Sequence, residues 1–127
     1  MVKNYRDLEV WQKAMDLVVA SYKLTKSFPK DEMYGLTNQL RRAAASIPAN
    51  IAEGRQRQYS KEFLQFLSIA SGSLAELETH MQIAGRLHYT DEHHGASLLE
   101  RTEEVGRMLT GLKKAIGARK KGLGIRE

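Results

Sequence analysis

The chain has 127 residues, enough for one domain with a real core, and it contains no cysteine, which excludes disulfide staples, thiolate chemistry and cysteine metal sites. Its formal net charge of +5 is a C-terminal excess. Residues 1–106 hold 13 basic against 14 acidic side chains, whereas Arg107, Lys113, Lys114, Arg119, Lys120, Lys121 and Arg126 face only Glu127 in the last stretch.

From Asn4 to about Ser27, Leu8, Trp11, Met15, Val18, Tyr22 and Thr25 recur at helical spacing and predict one stripe of a first helix. Val10, Ala14, Leu17, Ser21 and Leu24 predict a second, neighbouring stripe. A helix in a small monomeric bundle needs only one such face, so the surplus predicts an association surface. Pro29 and the acids Asp31 and Glu32 predict the start of a second helix running to about Arg57, with Met33, Leu36, Leu40, Ala43, Ile47 and Ile51 on one face. Pro48 lies inside this pattern; it has no N–H for the Ala44 carbonyl, and its ring predicts a bend in a continuous helix. A break at Ile47 is the rival, because proline disfavours the helical region for the residue before it.

The third helix is predicted from Ser60 as N-cap, with Phe63, Leu67, Ala70, Leu74, Leu77, Met81 and Ala84 forming the clearest stripe in the chain. Its small-residue centre, "SIASGSLA", predicts close approach of a facing backbone at Gly72. A fourth helix is predicted from Thr90 or Asp91, with Leu98, Thr102, Val105, Leu109, Leu112 and Ile116 inward; past Gly117 the pattern dissolves. The expected organisation is therefore an all-α, antiparallel up-and-down four-helix bundle over residues 1–117 and a basic flexible tail over 118–127. The "MVKNYRDLEVW" opening lacks a signal-peptide apolar stretch and no run would span a bilayer, so a soluble cytoplasmic protein without membrane partners is expected.

Candidate chemistry is sparse. Ferritin-like sites need Glu-x-x-His pairs on facing helices, but Glu76 is followed three residues on by Thr79 and Glu78 by Met81, so His80 reads as a half-buried or interfacial residue. His93 and His94, beside Asp91 and Glu92, suit a solvated helix start, and neither a metal nor any other cofactor is expected. Arg86 and His93, with six residues between them, loosely resemble the Arg-to-His motif of the HEPN helical ribonucleases, although Leu87 stands where that motif carries a polar residue. Arg41, Arg42, Arg55 and Arg57 flank the proline stretch, and Lys113, Lys114, Lys120 and Lys121 lie in the basic end; these eight are the candidate contacts to nucleic-acid backbone. Tyr59 is the one aromatic residue adjacent to those arginines, and Lys61 follows it, so base reading has little support. Pairing of Arg41 and Arg42 with acids of a neighbouring helix is the competing use.

"FPKDEMYGLTNQLRRAAASIPANIAEG" and "YSKEFLQFLSIASGSLAELETHMQIAGRL" together resemble the four-helix bundle proteins encoded in intervening sequences of bacterial 23S ribosomal RNA genes, over roughly residues 4–116. That family includes relatives acting beside reverse transcriptases in diversity-generating elements. The resemblance implies a ring-like homopentamer with a basic surface for RNA or DNA and no enzymatic activity, and it makes Ser46, Pro48, Asn50 and Glu53 part of a structural signature. A scaffold that binds another protein is the alternative function, and an RNA-cleaving protein comes third.

Overall fold

Asn4 shapes the first turn: its side chain accepts from the Arg6 N–H at 2.8 Å and closes a 3-10 turn over Tyr5–Asp7. The structure is a computed structural model, and it describes residues 4–122, with side chains through residue 118. The helix predicted from Asn4 is therefore split, because the Asn4 side chain offers the backbone a local bond that competes with helix. Leu8 is extended (φ −74°, ψ 123°), and α1 spans Glu9–Thr25. Gln12 ties the turn to α1 by donating from Nε2 to the Arg6 carbonyl at 2.8 Å, and Trp11 meets the Tyr5 ring edge-on at 5.3 Å.

The second helix starts later than predicted. Lys30–Glu32 forms a 3-10 turn, and α2 spans Leu36–Gln56. Glu32 lies outside α2 and caps it, with Oε1 accepting from the Leu36 N–H at 3.1 Å. An anionic acceptor at that point satisfies one of the free donors at a helix start. Helix α2 passes Pro48 without interruption, so the break at Ile47 does not occur. Pro48 is buried with Ile47 and Ile51, and the packing of this face holds the helix against a proline penalty of about 3 kcal/mol. Polar neighbours bond to nearby carbonyls: Ser46 Oγ donates to Ala43 at 2.9 Å, and Asn50 Nδ2 donates to Ser46 at 2.8 Å.

Helix α3 spans Ser60–Arg86, with Ser60 as its first residue and Tyr59 in the N-cap position. Leu67, Ala70, Leu74, Leu77, Met81 and Ala84 are all buried, as the stripe predicts. The close approach predicted at Gly72 lies elsewhere: a Cβ there would meet nothing within 4 Å, because Gly72 faces outward. Contact is tightest at Gly54 near the end of α2, where a Cβ would lie 2.6 Å from Phe66 Cβ and 3.1 Å from Phe63 Cδ1. Helix α3 ends in a Schellman motif, with the Tyr89 N–H donating to Ala84 at 2.9 Å and the His88 N–H to Gly85 at 3.1 Å. His88 occupies its left-handed position at φ 61°, where glycine is ordinary and a side chain costs about 1 kcal/mol.

Helix α4 spans Glu92–Gly122, and Asp91 Oδ1 caps it by accepting from the His94 N–H at 2.8 Å. Leu98, Thr102, Val105 and Leu109 are buried, while Leu112 and Ile116 are half-buried. The helix continues through Gly117, so residues 118–122 extend α4; the rest of the expected tail, residues 123–127, lies outside the described residues. Basic residues near a helix C-terminus complement its dipole.

Each helix packs on its sequence neighbours and α1 closes on α4, while the backbones of the diagonal pairs stay apart among the described residues. That is the packing of an up-and-down four-helix bundle. Val10, Ala14, Leu17, Ser21 and Thr25 form the core face of α1. Its buried hydroxyls are satisfied within the helix, Ser21 donating to Leu17 at 2.8 Å and Thr25 to Ser21 at 3.1 Å. The other predicted stripe divides. Leu8, Trp11 and Val18 pack against the core, whereas Met15 and Tyr22 remain 40% and 43% exposed, joined on the outside by Val19 at 53%.

Candidate nucleic-acid interface

Two clusters separate the arginines of α2. Arg41 is half-buried at the α1 side, where Nε donates to Thr25 Oγ1 at 2.8 Å and the guanidinium carbon lies 4.7 Å from the centre of the Tyr22 ring. This side chain fastens α2 to α1. Arg42, one residue on, points away and is exposed. Arg55 and Arg57 lie about 21 Å farther along, by the helical rise over fourteen residues. Arg57 is held by Glu53 at 3.0 Å and Glu62 at 3.5 Å, and it lies 5.0 Å from the centre of the Phe66 ring. Its charge is largely answered inside the chain. Arg55 is half-buried, while Tyr59 and Lys61 are exposed beside it in sequence.

Helix α4 reaches the Arg55–Arg57 end because it packs along α3. Lys113 Nζ donates to Ser71 Oγ at 2.9 Å, and Lys114 beside it is exposed. Lys120 belongs to the same helix, as does Lys121; both side chains lie outside the described ones. The eight candidates are thus spread along the bundle, with Arg41 and Arg42 in the first half of α2, Lys113 and Lys114 beside the middle of α3, and Arg55 and Arg57 where α2 ends, toward which Lys120 and Lys121 continue along α4.

At the opposite end, Arg86 is the exposed last residue of α3 and His93 is exposed in the first turn of α4, with the Schellman turn between them. The His93 ring meets His94 edge-on at 5.4 Å. His94 Nδ1 lies 2.7 Å from Asp91 Oδ2. The His94 backbone N–H, and then its ring, hold the Asp91 carboxyl below the usual carboxylate range. Tyr89 donates its hydroxyl to Glu32 Oε2 at 2.9 Å, and this bond to a carboxylate raises the phenol above its ordinary value. His80 is half-buried, as expected, with Nδ1 lacking a hydrogen-bond partner among the described residues. No cluster of three or more metal-ligating His, Asp or Glu side chains occurs among the described residues.

A cavity of about 920 Å³ between the end of α1 and the start of α4 had no signal in the sequence. Its walls come from segments about seventy residues apart, and the histidines there carry no periodic pattern. No helix among the described residues is long and apolar enough to cross a membrane.

An all-helical, up-and-down four-helix bundle is the class that this geometry defines. The chain belongs to the 23S rRNA-intervening sequence protein family, whose model matches residues 6–111. It is similar to the crystal structure of a protein of unknown function from the S23 ribosomal protein family of Bacteroides thetaiotaomicron, with 25% sequence identity and a TM-score of 0.75. That similarity covers 83% of this chain and 98% of the other. No curated protein matches the chain.

Proposed function

We infer that this is a cytoplasmic, non-enzymatic, self-assembling protein that holds RNA or DNA by its backbone. The observation that carries the reading is the basic excess of α4: Lys113 and Lys114 lie beside the middle of α3, and Lys120 and Lys121 continue along the same helix toward the end of the bundle that bears Arg55 and Lys61. Cations spaced along a helix suit a row of phosphates, and the scarcity of exposed aromatics there favours backbone over base contacts. Arg42 contributes from the far end, and Arg41 acts mainly by positioning α2. The assembly is a ring of identical subunits, five in the number the resemblance implies, closed by the exposed Met15–Val19–Tyr22 side of α1. Helix α2 bends at Pro48, where the Ala44 carbonyl loses its helical donor.

Titrating labelled RNA and duplex DNA over a salt series tests this. Log affinity is expected to fall by roughly 0.9 per unit log salt for each B-DNA phosphate neutralised, and the Lys113→Glu/Lys114→Glu double variant is expected to weaken binding about tenfold or more. Absence of binding at low salt would overturn the reading. The exposed apolar side of α1 would then favour the second reading, a scaffold for a protein partner such as the reverse transcriptases of the resemblance. Light scattering on the same samples reports the assembly, and a mass of 14.4 kDa across a dilution series would remove self-association. An RNA-integrity readout with Arg86→Ala and His93→Ala tests cleavage.

A further inference from the structure

The cavity between the C-terminal half of α1 and the start of α4 lies at the opposite end of the bundle from Arg55 and Arg57. Its volume of about 920 Å³ falls within the range of small-molecule sites. Apolar surface comes from Ala20, Leu24 and Leu98. Positive charge comes from Lys23 and Arg101, neither of which is in an ion pair among the described residues. Ser27, Thr90 and Ser97 add hydroxyl donors. Asp91 is the sole carboxylate of the lining, and it is already engaged by the His94 backbone N–H and ring. Nothing else in the lining repels an anion.

The walls are held before any ligand arrives. Tyr89 is fixed by its bond to Glu32 and by the Phe28 ring, with centroids 5.5 Å apart. His88, also in the lining, keeps a left-handed backbone that a glycine would adopt without strain. This conformation is the helix-ending position of the Schellman motif, and it sets His88 in the cavity lining. His94, with Nδ1 on Asp91, keeps Nε2 unengaged.

We propose that this cavity binds a small phosphate-bearing ligand with an apolar ring body, of the nucleoside monophosphate class. Arg101 and Lys23 hold the phosphate, the guanidinium through its planar donor fork, and His88 and His94 add donors at the rim. The ring body lies over Ala20 and Leu24. The glutamates Glu100, Glu103 and Glu104 share a separate, shallower depression with Arg101 and are not part of the cavity lining.

Calorimetric titration of the full chain with AMP, adenosine and inorganic phosphate tests the proposal. Saturable binding of AMP is expected, with adenosine and phosphate each weaker by about tenfold or more, since each supplies half of the recognised chemistry. His88→Gly separates function from folding. It is expected to raise the melting temperature by relieving backbone strain while weakening AMP binding about fivefold, the opposite signs that a strained binding residue produces. Arg101→Ala is expected to weaken AMP binding with little change in melting temperature. No binding of AMP at millimolar concentration, adenosine binding as tightly as AMP, or His88→Gly with unchanged affinity would each overturn the assignment.

Discussion

Leu77→Ala is expected to destabilise the bundle by about 2 to 5 kcal/mol, the range for truncating a fully buried leucine. Leu77 has no exposed surface and lies mid-way along α3, the helix that packs against both α2 and α4. Its removal costs the transfer of its methyl and methylene groups plus the cavity left among side chains fixed on neighbouring helices. Ile69→Ala on the same helix is the control: Ile69 is 51% exposed, and surface substitutions of this kind usually stay within about 0.5 kcal/mol. Chemical denaturation of the two variants measures the difference. Equal midpoints would mean that α3 does not present the Leu67–Leu74–Leu77 face to the core.

Gly54→Ala and Gly72→Ala are expected to shift stability in opposite directions. Alanine raises helix propensity by about 1 kcal/mol at either site. At Gly54 the new carbon would lie 2.6 Å from Phe66 Cβ, an atom close to the α3 backbone that a rotamer change cannot move aside. Overpacking of this kind costs typically about 1 to 3 kcal/mol, and against backbone-proximal atoms it falls in the upper part of that range, so a net loss of up to about 2 kcal/mol and a lower melting temperature are expected. Gly72 has open space where a Cβ would go, and alanine there is expected to add about 0.5 to 1 kcal/mol. Thermal melts of both variants, with light scattering on each, decide the matter. A Gly54→Ala protein as stable as the parent would mean that α2 and α3 are farther apart at this point. A Gly72→Ala protein that loses stability together with its assembly would move the close approach from within the subunit to between subunits.

The surroundings of Arg41 and Arg42 show how far an arginine's contacts depend on its neighbours in space. Arginines 41 and 42 are adjacent in sequence and identical in chemistry, yet one is joined to Thr25 and Tyr22 across the α1–α2 contact and the other is exposed. Arg57 likewise spends its charge on Glu53 and Glu62. Charge excess in α4 was legible because it is a property of composition. Which cations remain available depends on side chains brought from other helices.

The sequence by itself determined the helices and their inward faces. The 3.6-residue period records which side of each segment is removed from water, and for Leu67 through Ala84, Leu36 through Ile51 and Leu98 through Leu109 the record is complete. The apolar period on both sides of Pro48 favoured a continuous α2, and the burial of Pro48 with Ile47 and Ile51 decided against a break at Ile47. Tertiary structure alone decided the rest. Whether Gly54 or Gly72 meets a neighbouring backbone depends on where two helix axes come closest, and glycine carries no side chain by which a periodic pattern could mark it. Which stripe of α1 became core depended on α2 and α4 arriving against Val10, Ala14 and Leu17, because both stripes have the same period. The cavity around His88 arose from the packing of α1 against α4, two segments that local sequence cannot bring together. Period is a local property of the chain, whereas approach, charge pairing and concavity belong to pairs of helices.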